Sequence, residues 1–159
     1  MADQIVVNAS PLIVLSRAGR IDLLTLVGTP IHVPESVSSE VREHSDEAAR
    51  ILDTIAWLQT VSDAEKLPLV RSWDLGDGES AVLEWAQANR PARAVIDDYA
   101  ARKLANVLGV PVTGTLGLAL LAKQHGLVPL ARPIVEEFAR AGLYLSDPVV
   151  EHALRLVGE

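Results

Sequence analysis

Short β-branched runs alternate with stretches in which apolar residues return every three or four positions. The runs "QIVVN" (4–8), "IHV" (31–33), "WLQTV" (57–61), "RAVID" (93–97), "VPVT" (110–113) and "LYL" (143–145) predict short strands. The helical spacings predict helices at 11–18, 20–27, 34–43, 46–54, 78–89, 98–108, 115–124, 130–141 and 147–157. Strands and helices that alternate in this way predict an α/β domain, a small and mostly parallel sheet flanked by helices. The stretch "SDAEKLPLVRSWDLGD" (62–77) keeps no sustained period and reads as a long surface loop. No repeat, low-complexity tract or linker interrupts the pattern, so residues 1–159 form a single domain. Its core lies at about 4–128, and a Pro-punctuated helical end-piece (129–159) packs on the sheet or on a partner.

Composition narrows the chemistry. The chain has 159 residues, 49% of them hydrophobic, enough to bury a full core without disulfide or metal staples. It has no cysteine, which excludes a disulfide framework, thiol catalysis and thiolate metal sites. The start "MADQIVVNAS" lacks a basic leader, and no apolar run approaches the roughly 20 residues that span a bilayer. The expectation is a cytoplasmic protein with no membrane attachment. A formal net charge of −7 opposes a broad basic surface for nucleic acid, yet a cluster of carboxylates awaiting cations would produce the same sign.

The candidate chemistry lies where polar groups meet strand ends. Asn8 ends the first apolar run, and Ser10 before Pro11 reads as a helix N-cap with proline at the first helical position. Closing the turn is a sufficient local role for both residues; the alternative is that they face a crevice at the carboxyl edge of the sheet. Glu40 borders the apolar stripe of Val37, Val41 and His44. Glu79 follows Gly76 and Gly78 in a first helical turn, where the dipole favours a carboxylate and the glycines admit close backbone approach. Of the adjacent Asp97 and Asp98, one is explained as an N-cap; the second is not. Three or four carboxylates with an amide form an oxygen-only set suited to Mg²⁺ or Mn²⁺ rather than zinc. Thr113 and Thr115 in "TGTLGLA" read as caps of the next helix with hydroxyls toward the same crevice, and this stretch carries no nucleotide-binding glycine pattern. His32, His44, His125 and His152 have no HxxxH spacing and read as structural or surface residues.

In order along the chain, "VVNASPLI", "VPESVSSEV", "LGDGESAVLEWA" and "AVIDDYAARKLANVLGVPVTGTLGLALLAKQHGLV" resemble the PIN domain family over residues 4–128. More narrowly they resemble its branch related to VapC-type toxins of toxin–antitoxin systems. The resemblance implies a metal-dependent endoribonuclease, a hydrolase using Mg²⁺ or Mn²⁺. By position, Asn8, Glu40, Glu79, Asp97 and Asp98 correspond to the metal-binding set, the four acids being the catalytic residues, with Ser10, Thr113 and Thr115 in support. Arg17, Arg102 and Lys103 are candidates for phosphate contact. The implied partners are an RNA substrate, a small antitoxin protein and a second copy in a homodimer. Asn8 departs from the pattern, since it stands where the family has an acid: an amide oxygen can ligate Mg²⁺ but adds no charge and cannot serve as a base. That substitution opens an alternative, a catalytically weak or inactive PIN-like protein acting as a binding module. A phosphoacceptor receiver domain fits less well, because it expects its acid pair after the first strand.

Overall fold

A computed structural model describes residues 3–159. Five strands, β1 (Gln4–Val7), β2 (Ile31–Pro34), β3 (Leu58–Val61), β4 (Ala92–Val95) and β5 (Val112–Thr113), form an all-parallel sheet in the order β3-β2-β1-β4-β5. The most apolar run, Ile5–Val7, takes the centre: Ile5 pairs with Ile31 on one side, and Val6 with Ala94 on the other. A strand buried on both faces must be apolar throughout, which is why this run does not alternate.

The helices are α1 (Ala9–Ala18), α2 (Glu35–His44), α3 (Asp46–Thr54), α4 (Pro68–Arg71), α5 (Asp77–Ala88), α6 (Tyr99–Leu108), α7 (Thr115–Gln124), α8 (Arg132–Arg140) and α9 (Asp147–Arg155), with a 3₁₀ segment at Ile21–Val27. Helix α5 packs across β1, β2 and β4, and residues Ser80–Ala86 are all buried. Both α1 and α6 end on glycines in the left-handed region, Gly19 (φ 66) and Gly109 (φ 72), where a side chain would be strained.

Several expected elements differ, and the helix expected at 20–27 is the 3₁₀ segment Ile21–Val27. The "loop" 62–77 contains α4, which begins on Pro68 and is too short to leave a periodic trace. No strand forms at 143–145: the Leu143 N–H bonds back to Phe138 O at the end of α8, and Tyr144 projects outward. The C-terminal helices pack on α1 and α7 and place Ile134, Phe138 and Leu154 in the common core. Arg20, just beyond α1, forks onto both oxygens of Glu137 on α8. Among the described residues no helix is long and apolar enough to cross a membrane.

In this strand order the chain leaves β1 toward β2 and β3, then returns to add β4 and β5 on the other side. The helices that follow β1 and β4 therefore diverge and leave a crevice at the carboxyl ends of these two strands.

Candidate active site

Asn8 prolongs β1 by one backbone bond, its N–H donating to Val95 O at 3.0 Å. The side chain is thereby held at the centre of the carboxyl edge. It is 2% exposed, and its Oδ1 is the one buried side-chain polar atom among the described residues without a hydrogen-bond partner. Leaving such a group unpaired costs about 1–3 kcal/mol.

Helix α1 starts at Ala9, not Pro11, so the N-cap is Asn8 rather than the expected Ser10, and the Asn8 side chain makes no capping bond. The displaced Ser10 hydroxyl donates instead to Asp97 Oδ2 at 3.1 Å. Asp97, just beyond β4, accepts two further bonds: Thr115 N–H to Oδ1 and Thr115 O–H to Oδ2, both 2.7 Å. One carboxylate thus ties the first turns of α1 and α7 to the end of β4. Asp98 is separated from it, for it is exposed and caps α6 by accepting the Ala101 N–H at 2.9 Å. The expected capping by Thr113 and Thr115 does not occur. Gly114 is the N-cap of α7, Thr115 is already helical, and Thr113 Oγ1 accepts from Arg93 at 3.2 Å.

The other wall comes from α2 and α5. A Cβ on the buried Gly78 would stand 2.6 Å from Glu40 Oε2 and 3.1 Å from Asn8 Oδ1; one on Gly76 would stand 2.5 Å from Glu79 Oε2. The two glycines therefore leave space that these oxygens occupy. Among the described residues nothing donates a hydrogen bond to the half-buried Glu40. Its carboxyl is pushed above the usual glutamate range, first by burial and then by the negative charge of Glu79, with Glu43 and Asp77 adding and His44 opposing.

Glu40 and Glu79 thus form one wall and Asp97 the other. Asn8 joins them, since its Oδ1 faces Gly78 and Ser10, two residues on, holds Asp97. No three His, Cys, Asp or Glu side chains converge into a ready cage among the described residues. The unpartnered amide oxygen, the glycine-cleared space and the crowded carboxylates nevertheless fit a hard, oxygen-seeking divalent cation.

The candidate phosphate contacts fall apart in space. Arg102 stands at the rim: Nη1 donates to Ile96 O at 3.0 Å, and a Cβ on Gly114 would meet both Arg102 Nη1 (2.5 Å) and Asp97 Oδ1 (3.2 Å). Lys103 Nζ lies 5.4 Å from the centre of the Tyr99 ring. Arg17 is not brought to this edge. It occupies the last turn of α1, about 12 Å along the helix from its start, where its guanidinium donates to Ala141 O.

A groove of about 660 Å³ opens from Asp97 between α7 and the segment joining α8 to α9. Sequence reasoning missed it. The available signal was that α7 carries Leu116, Leu120 and Leu121 in addition to Leu118, Ala119 and Ala122, more apolar surface than one buried stripe requires.

No curated protein matches the chain. The model of the family DUF3368, described as a PIN domain, matches residues 4–159 and so takes in the C-terminal helices as well as the sheet. PIN domains are generally nucleases that use divalent metals. With a five-stranded parallel sheet flanked by helices and a family-model match over residues 4–159, the chain belongs to the PIN domain family.

Proposed function

We propose that this protein is a divalent-metal-dependent endoribonuclease of the VapC-related branch, the toxin of a toxin–antitoxin pair in the cytoplasm. The observation that carries the metal-dependent reading is the orphaned, buried Oδ1 of Asn8 against Gly78, beside the unpartnered carboxylate of Glu40.

In this reading Asn8, Glu40, Glu79 and Asp97 hold Mg²⁺ or Mn²⁺. The bound ion supplies positive charge for the scissile phosphate and acidity for the attacking water. The chain's own groups do the rest. Ser10 and Thr115 fix the Asp97 carboxylate in one orientation, so little reorganisation precedes reaction. Glu40, which holds a proton more readily than an ordinary glutamate, is suited to exchange one with water at the crevice. Arg102 places a guanidinium at the rim, where a phosphate would enter. Asp98 serves by capping the helix that carries Arg102. RNA is the substrate, a small antitoxin the inhibitory partner, and the active form a homodimer.

Cleavage of a mixed single-stranded and structured RNA pool in Mn²⁺, Mg²⁺ or EDTA tests the reading, with Glu79→Gln purified identically as control. The expected result is metal-dependent cleavage that falls at least a hundredfold in the variant while thermal unfolding is nearly unchanged. Absence of cleavage by the folded, partner-free protein would favour the second reading, a PIN-like binding module. Asn8 in place of an acid, and the lack of a three-acid cage among the described residues, are the observations on its side.

A further inference from the structure

The groove beside Asp97 has two properties that an ordinary apolar surface lacks. The chain contains two tyrosines, and both stand on the groove wall: Tyr99 is 75% exposed and Tyr144 is 99% exposed. Of the remaining aromatic side chains, Phe138 and Trp85 lie in the core and Trp57 and Trp73 are half-buried against it, none of them on the groove wall. The second property is charge. In a chain of net charge −7, Asp97 is the one acid on the groove wall. Arg102 shares that wall, and a smaller recess on the far side of Tyr99 is lined by Trp73, Arg102, Lys103, Asn106 and Val107 with no acid.

From these features we infer that the groove receives unpaired bases of single-stranded RNA that flank the scissile phosphate. Tyr144 and Tyr99 are the stacking surfaces, and Arg102 meets the phosphate between groove and crevice. The inference rests on the nuclease reading for the identity of the polymer; its geometry is independent of the metal. Continuity is the first argument. Asp97 belongs both to the acidic crevice and to the groove, so a strand whose phosphate lies at the crevice extends its next nucleotides past Arg102 into the groove. Surface chemistry is the second. A nucleobase offers a flat apolar face with a polar edge, and the groove offers aromatic rings and leucines with Thr113, Gln124 and Ser146 among its polar groups. At about 660 Å³ it lies within the range of sites that enclose a small ligand. Selectivity for single strands follows, because a base paired within a helix cannot enter without leaving its stack.

The test uses the full chain and a fluorescein-labelled single-stranded RNA oligonucleotide, followed by anisotropy in Ca²⁺, a hard oxygen-binding cation of looser geometry than Mg²⁺. Cleavage of the same RNA in Mn²⁺ and sedimentation of each variant are measured alongside. Tyr144→Ala is expected to weaken single-strand binding about tenfold and to raise KM more than it lowers kcat, whereas Tyr144→Phe, which keeps the ring, restores both. Tyr99→Ala should give a smaller loss in the same direction, and a duplex of the same sequence should bind weakly and ignore both changes.

Three outcomes would overturn the inference: no single-strand binding by the natural protein, binding and KM unaltered in both alanine variants, or a change confined to oligomeric state. The last would identify the groove as a face for a second copy. Tyrosine-dependent binding without cleavage would support the groove while removing the nuclease reading. Cleavage indifferent to the tyrosines would do the reverse.

Discussion

Glu84 on α5 and Glu40 on α2 are both carboxylates withdrawn from water on helices that pack together, and they could hardly be treated more differently. Glu84 is 1% exposed and fully engaged: it accepts the Leu67 N–H at 2.7 Å and both Nε (3.1 Å) and Nη2 (2.7 Å) of Arg71. Glu40 is half-buried, faces Glu79, and has no donor among the described residues. A buried charge with its partners in place fastens architecture; here it fastens α4 and the preceding turn to α5. Arg71 also reaches Asp77 at 3.5 Å, at the start of the helix that carries Glu79. A withdrawn charge without partners costs stability in the isolated fold, and in the proposed function this crevice is where a cation would offset that cost.

The largest expected effect comes from breaking the satisfied member. Glu84→Ala leaves the Leu67 N–H unpaired and Arg71 without its main counter-ion, and should lower stability by about 2–4 kcal/mol. Urea denaturation measures this; a loss below about 1 kcal/mol would mean that water replaces the carboxylate easily.

Next is the amide beside the unsatisfied member. Asn8→Asp places a charge on the orphaned position, and should tighten Mn²⁺ binding about tenfold, or about 1.4 kcal/mol, while destabilising the metal-free protein. Calorimetric titration reads the first effect, and unchanged affinity would remove Asn8 from the metal set.

Glu40→Gln acts in the opposite sense, relieving burial of a charge and its repulsion from Glu79. Because the site is partly open to solvent, the metal-free protein should gain no more than about 1 kcal/mol. The same variant should lose the stabilisation that Mn²⁺ gives the natural chain, so thermal melts with and without metal separate the two contributions.

The smallest effect calibrates the comparison at the surface. Hydrogen bonding to Arg20 holds Glu137 below the usual glutamate range. The native state thus binds this proton less readily than the unfolded chain, and the pair's contribution is present above the unfolded pKa and is lost as pH falls through the folded one. Both side chains are about a third exposed, so Arg20→Gln should cost about 0.5–1 kcal/mol at neutral pH and nothing in strong acid. A pH series of denaturation midpoints checks both limits.

Much of the fold was legible because its causes are local. β-Branched runs marked the five strands, and the apolar spacing of 34–43, 46–54 and 98–108 lies within two residues of α2, α3 and α6. The polar group at each strand or helix end was legible as well, since the amide of Asn8 and the carboxylates of Glu79 and Asp97 stand out against their neighbours. What failed was whatever depended on a partner distant in sequence. "LYL" has strand propensity but finds no strand edge, and closes α8 instead. Ser10 has the character of a cap, yet its partner lies 87 residues away on Asp97. Asp97 and Asp98 are adjacent and chemically identical, and only the docking of α7, which brings Thr115, divides them into a crevice residue and a helix cap.

By itself, then, the sequence determined the inventory: which segments extend, which coil, and which oxygens stand at their ends, because dihedral preference, periodicity and capping act over a few residues. Tertiary structure alone decided which of those oxygens are satisfied. Whether a carboxylate meets an arginine, a backbone N–H or only another carboxylate depends on packing between segments tens of residues apart, and that decision separates Glu84, which holds the fold, from Glu40, which faces the crevice.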